Sequence, residues 1–132
     1  MQPQVFDMTY EDFGVALEKW NYSCIIPAGT TLPATAEKKY SLVEDYQSQL
    51  NIKILSRNSE AQNALKTYDP GIEYLDELIM TNIPPMKSCQ VDVVVRFEIT
   101  KQYELKTDVT LVKKDGTVVD KENISINRQS TM

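Results

Sequence analysis

The sequence predicts an all-β protein, an antiparallel β-sandwich of about eight strands with at most one short helix. Three observations point there. Short stretches alternate apolar and polar residues along most of the chain, the period of a half-buried strand. Clusters of Pro, Gly, Asn and Asp interrupt these stretches at short spacing, as turns do in sandwiches. The segment that best suits a helix, SEAQNALK from Ser59 to Lys66, is long enough for only one or two turns.

Taken in order, residues 1–12 read as an arm, residues 13–127 as the sandwich and 128–132 as a tail. The run from Phe13 to Trp20 alternates, with Val15 and Leu17 on one side and Ala16 and Glu18 on the other. Asn21 to Pro27 is a second strand, sending Ile25 and Ile26 into the core and ending at a proline. Ala28-Gly29-Thr30-Thr31 supplies turn chemistry. From Lys38 to Glu44, Tyr40 and Leu42 point one way while Lys39, Ser41 and Val43 point the other. Gln47 to Leu55 alternates most clearly, setting Leu50, Ile52 and Ile54 against Gln49, Asn51 and Lys53.

Asn58 to Asp69 breaks the period, with Ser59 as the expected N-cap of the short helix. Asp69-Pro70-Gly71 is a turn. Ile72 to Met80 fits helix spacing as well as strand spacing, and Asn82-Ile83-Pro84-Pro85 ends it. Gln90 to Ile99 is a strand of period two, with Val91, Val93, Val95 and Phe97 inward. Tyr103 to Lys113 follows, and Asp115-Gly116 turns the chain into a returning strand from Thr117 to Ile126.

Composition narrows the function. A length of 132 residues suits one domain with a self-sufficient core. The net charge of −5 argues against nucleic acid, whose binding rests on clustered cations. The chain contains no His, which removes Ser/His/Asp and Cys/His nucleophile systems. No phosphate-cradling glycine motif is present. Cys24 and Cys89 lack the spacing of a zinc site; buried thiols are the plainer reading, a disulfide stays open, and no metal or other cofactor is expected. No signal peptide or apolar membrane span is visible, and a cytoplasmic, reducing setting is expected. The sequons at Asn21 and Asn123 then carry no meaning. Carboxylate pairs such as Glu44-Asp45 sit at turns and strand ends, where a solvated face is the plainer reading. On composition alone Val15, Leu17, Tyr40, Leu42, Leu50 and Ile52 are most cheaply read as sandwich core.

The order of residues adds a further expectation. Gly29-Thr30-Thr31-Leu32-Pro33, Tyr40-Ser41, Glu44-Asp45-Tyr46-Gln47-Ser48 and the strand Leu50-Asn51-Ile52-Lys53-Ile54 follow one another without a gap. This series resembles the β-sandwich substrate-binding domain of the seventy-kilodalton heat-shock chaperones, the DnaK-type family. That family shows N-T-T-[IL]-P, an aromatic-Ser pair, E-D-N-Q-S and an aliphatic strand. Upstream, Phe13-Gly14-Val15 stands where the family has Leu-Gly-Ile, and Val5-Phe6-Asp7 where its interdomain linker ends. The likeness is specific from Phe13 to Leu55, fair from Val91 to Ile126 and poor between Ser56 and Lys87.

The resemblance implies non-catalytic binding of extended hydrophobic peptides or unfolded proteins, as in protein folding and the stress response. It implies a pocket lined by Val15, Tyr40, Leu50, Ile52 and Val93, with Val91 as the alternative to Val93. Leu17, Ser41 and Val43 would offer backbone groups to the peptide, and Gln47 a side-chain hydrogen bond. An extended ligand satisfies its backbone as an added strand does, while alternate side chains reach pockets. Burying one Leu side chain would contribute roughly 1.5–3 kcal/mol. In the family an apolar arch closes over the peptide; here Glu18 and Val43 hold those positions, and a carboxylate there is costly to desolvate. Tyr46 replaces the Asn of the E-D-N-Q-S motif, and Tyr10 the linker's proline. These departures describe a divergent member, or a sandwich serving as a dedicated protein-interaction module. The family's nucleotide-binding domain, expected as a partner in a full-length chain, and its helical lid are absent from these residues. Self-association through a lidless groove is a further expectation.

Overall fold

The computed structural model describes residues 5–17, 20–61 and 63–128. Eight strands build two antiparallel four-stranded sheets that face one another, as the alternation predicts. One sheet runs in the order β2 (Ser23–Ile26), β1 (Glu11–Ala16), β4 (Leu50–Asn58), β5 (Ile72–Met80). The other runs β3 (Ala34–Ser41), β6 (Val91–Ile99), β7 (Glu104–Lys113), β8 (Val118–Asn127). A single 3₁₀ turn, Ser88–Gln90, precedes β6.

The core lies between the sheets and follows the period-two pattern. Phe13 and Val15 of β1, with Leu50, Ile52 and Ile54 of β4, face Val91, Val93, Val95 and Phe97 of β6 and Leu105, Val109 and Leu111 of β7. All are fully buried. Each such side chain contributes roughly 1.5–3 kcal/mol by leaving water.

Two expectations are corrected here and one open reading is resolved. The first strand ends at Ala16 rather than Trp20. The chain turns away because Tyr22 N–H donates to the Leu65 carbonyl (2.9 Å) and Thr67 N–H to the Trp20 carbonyl (2.7 Å), so this stretch pairs with the β4–β5 loop. No helix forms among the described residues of 59–66, and Ser59 is no N-cap. Asn58 instead organises a turn, its Oδ1 accepting from Glu60 N–H (2.9 Å), while Asp69 Oδ2 accepts from Leu65 N–H and Lys66 N–H at 3.0 and 2.9 Å. Such local side-chain bonds compete with helix formation. The ambiguous run Ile72–Met80 is a strand, paired along its length with β4 and burying Leu78 and Met80.

The arm is docked along residues 6–10. Phe6 N–H donates to the Lys101 carbonyl (2.7 Å), Thr9 N–H to the Thr30 carbonyl (2.9 Å) and Leu32 N–H to the Asp7 carbonyl (2.8 Å). Val5 is exposed, whereas the Phe6 ring lies 4.8 Å from the buried Tyr103 ring. Strand β1 then begins at Glu11, within the segment assigned to the arm, and Glu11 and Asp12 are buried. Arg128, assigned to the tail, joins the sandwich through ion pairs of 2.8 Å to both Glu11 and Glu73. Residues 1–4 and 129–132 lie outside the described residues.

Candidate functional site

Two adjoining clefts open where the turn after β1 meets the loop joining β3 to β4. Gly14 makes the first approach possible. A Cβ on Gly14 would sit 2.1 Å from the Ser23 carbonyl oxygen and 2.8 Å from the Tyr22 ring, so only glycine lets β2 lie this close to β1. The register between the strands shifts there, at Phe13/Gly14.

The smaller cleft, about 260 Å³, is lined by Val15, Leu17, Tyr22, Tyr40, Ser41 and Val43, together with Asn21 and Ser23. Its walls come from different sheets. Tyr40 on β3 and Ser23 on β2 join them, hydroxyl to hydroxyl at 2.8 Å. Burial pushes the Tyr40 hydroxyl above its ordinary pKa, partly offset by the bond to Ser23.

The loop after β3 is braced from within. Gln47 Oε1 accepts from the N–H groups of Val43 (3.1 Å) and Glu44 (3.2 Å), and its Nε2 donates to the Gln49 carbonyl (2.7 Å). The loop is also fixed from below. Tyr46 N–H donates to the Met86 carbonyl (2.7 Å), and Ser88 N–H donates to Asp45 Oδ1 (2.8 Å). That last bond holds the Asp45 carboxyl below the usual aspartate range.

The residues expected to line a pocket divide accordingly. Leu17, Tyr40, Ser41 and Val43 come together at the smaller cleft, with Val15 fully buried beneath it. Leu50, Ile52 and Val93, and Val91 offered in place of Val93, are instead fully enclosed in the core. They correct the expected deep pocket: inward residues of a closed sandwich meet the opposite sheet. Gln47 lines the larger cleft, and its amide also makes these three bonds within the loop, with Val43 N–H among its partners. Glu18, expected at the arch, lies outside the described residues.

Sequence reasoning missed Asn21, Tyr22 and Ser23, which line the cleft because the chain bends after Ala16. Tyr22 stacks under the Arg57 guanidinium, 5.0 Å from its ring centroid. Arg57 Nε pairs with the buried Asp12 at 2.7 Å, and Nη1 donates to the Ala64 carbonyl at 3.0 Å. This network ties the β4–β5 loop to the cleft. Cys24, half-buried beside Tyr22, has its thiol pushed up by burial and then by Asp12, which makes it a poor nucleophile.

The larger cleft, about 820 Å³, shares Leu17, Asn21 and Val43 with the smaller one. It continues over the outer face of β1 and β4 toward Trp20, Lys53, Lys66 and Tyr68. None of these four was expected at a site.

No protein-family model matches this chain, and no curated protein sequence matches it. No helix among the described residues is long and apolar enough to cross a membrane.

Proposed function

We propose that this chain is a non-catalytic module that binds extended, apolar polypeptide segments, as the substrate-binding domain of a chaperone does. The carrying observation is the smaller cleft. Leu17 comes from one stretch of the chain and Tyr40, Ser41 and Val43 from another, yet they share one opening, with Val15 buried beneath it. Its surface combines apolar side chains with polar groups at the rim, which suits a ligand with an extended backbone and one apolar anchor. The unbridged Cys24 and Cys89 support a reducing, cytoplasmic setting.

A second reading, a dedicated interaction sandwich without general unfolded-peptide binding, draws support from the enclosed core. With Leu50, Ile52 and Val93 fully buried, the anchor meets a shallow cleft. Fluorescence anisotropy of a labelled Leu-rich heptapeptide separates the readings. The proposal expects saturable binding by the native chain, competition by unrelated apolar peptides, and loss of binding in Val43→Asp. Val43 is 49% exposed, so this change leaves the fold intact. No binding at high micromolar concentration would sink the chaperone-type reading.

A further inference from the structure

The larger cleft has a chemistry of its own. Lys53 stands in the middle of β4, half-buried, directly across from Glu77 on β5. The two do not form an ion pair. Glu77 Oε2 instead accepts from Asn51 Nδ2 (3.0 Å), and Asn51 Oδ1 accepts from Gln49 Nε2 (2.8 Å). These floor amides are committed to one another. On the far wall, Lys66 donates to Asn21 Oδ1. Among the described residues, no carboxylate lies within ion-pair distance of either ammonium group.

The described lining thus holds two lysines and one carboxylate, Glu44, in a chain whose net charge is −5. Lys53 is a partly buried cation with no ion pair among the described residues, and such a cation facing a cleft favours an incoming anion. Aromatic surface adjoins it. Trp20 and Tyr68 meet edge to face with centroids 5.6 Å apart, and they remain 48% and 68% exposed. An exposed aromatic pair beside a cleft offers ring-stacking area at small entropic cost.

We infer that this cleft extends the peptide site and selects the residues flanking the apolar anchor. The favoured ligand is an extended segment whose anchor is followed on one side by an acidic and an aromatic side chain. The carboxylate meets Lys53 and Lys66, and the ring packs on Trp20 and Tyr68. This inference rests on the peptide reading of the smaller cleft, with which it shares Leu17, Asn21 and Val43.

Trp20 is the sole tryptophan, so its emission reports directly on this cleft. The test uses the full chain and Leu-anchored heptapeptides with acidic-aromatic, alanine or basic-aromatic flanks, followed by anisotropy and Trp20 emission. The acidic-aromatic peptide should bind about fivefold tighter than the alanine one at low salt and shift the emission. High salt should remove most of that advantage. Lys53→Gln should remove it too, as should Lys66→Gln on the exposed loop if the strand variant folds poorly. Equal affinities for all flanks with unchanged Trp20 emission would overturn the inference while leaving the peptide reading intact. Preference for the basic flank would also overturn it. Failure of every peptide to bind would overturn both.

Discussion

The Tyr40 and Ser23 hydroxyls lie 2.8 Å apart, and that bond spans the seam between the two sheets at the wall of the smaller cleft. The pair ties β2 to β3 across the cleft. A neutral hydrogen bond of this kind contributes about 1 kcal/mol. Tyr40→Phe and Ser23→Ala should each destabilise by about that amount in urea unfolding, and a double-mutant cycle should return a coupling of roughly 0.5–1.5 kcal/mol. Additive losses would show that the two hydroxyls do not act together.

Tyr46 and Tyr103 occupy the same strained backbone region with opposite consequences. Their φ angles are +60° and +64°, where residues with a Cβ are disfavoured and Asn is tolerated best. Tyr46 is exposed on the loop after β3, so Tyr46→Asn should stabilise the chain by about 0.5–1 kcal/mol. Tyr103 is fully buried, stacks on Tyr10 at 4.7 Å and accepts a hydrogen bond from Tyr10 N–H at 3.2 Å. Tyr103→Gly relieves the backbone yet should cost about 3 kcal/mol in lost packing. Chemical unfolding of both variants checks the pair, and the contrast in sign is the result to look for.

Acid should loosen the loop after β3 through Asp45. The Ser88 N–H lowers the folded pKa of this carboxyl, so the contribution is fully present above the unfolded value of about 4. It is lost as pH falls through the still lower folded value. Asp45→Ala should therefore lower the melting temperature at pH 7, with the difference from the native chain shrinking as the pH falls well below 4. A difference that stays constant down to the lowest pH would contradict the assignment.

How much was legible in the sequence depends on which contacts shape each part. Val91, Val93, Val95 and Phe97 declare an inward face because alternation is a local property of a strand. The run Ile72–Met80 does not, since its apolar spacing suits both periods and only pairing with β4 decides. The loop after Asn58 is shaped by local Asn58 and Asp69 side-chain bonds together with a long-range one, Thr67 N–H to the Trp20 carbonyl, which helix periodicity does not record. At the candidate cleft, Leu17, Tyr40, Ser41 and Val43 were named only through the family resemblance, since no local pattern in the residues separates them from sandwich core. Leu50, Ile52 and Val93 were not assignable between pocket and core, because alternation gives the face of a sheet and not what covers it. Trp20 and Tyr68 were invisible as a pair until the β4–β5 loop brought them together.

The most direct test of the central claim is a backbone amide map by nuclear magnetic resonance, titrating the chain with an unlabelled Leu-rich heptapeptide. Binding at the smaller cleft predicts saturable shifts at Leu17, Ser23, Ser41 and Val43, with β8 unmoved. Shifts confined to β5 and β8, or none at saturating peptide, would contradict it.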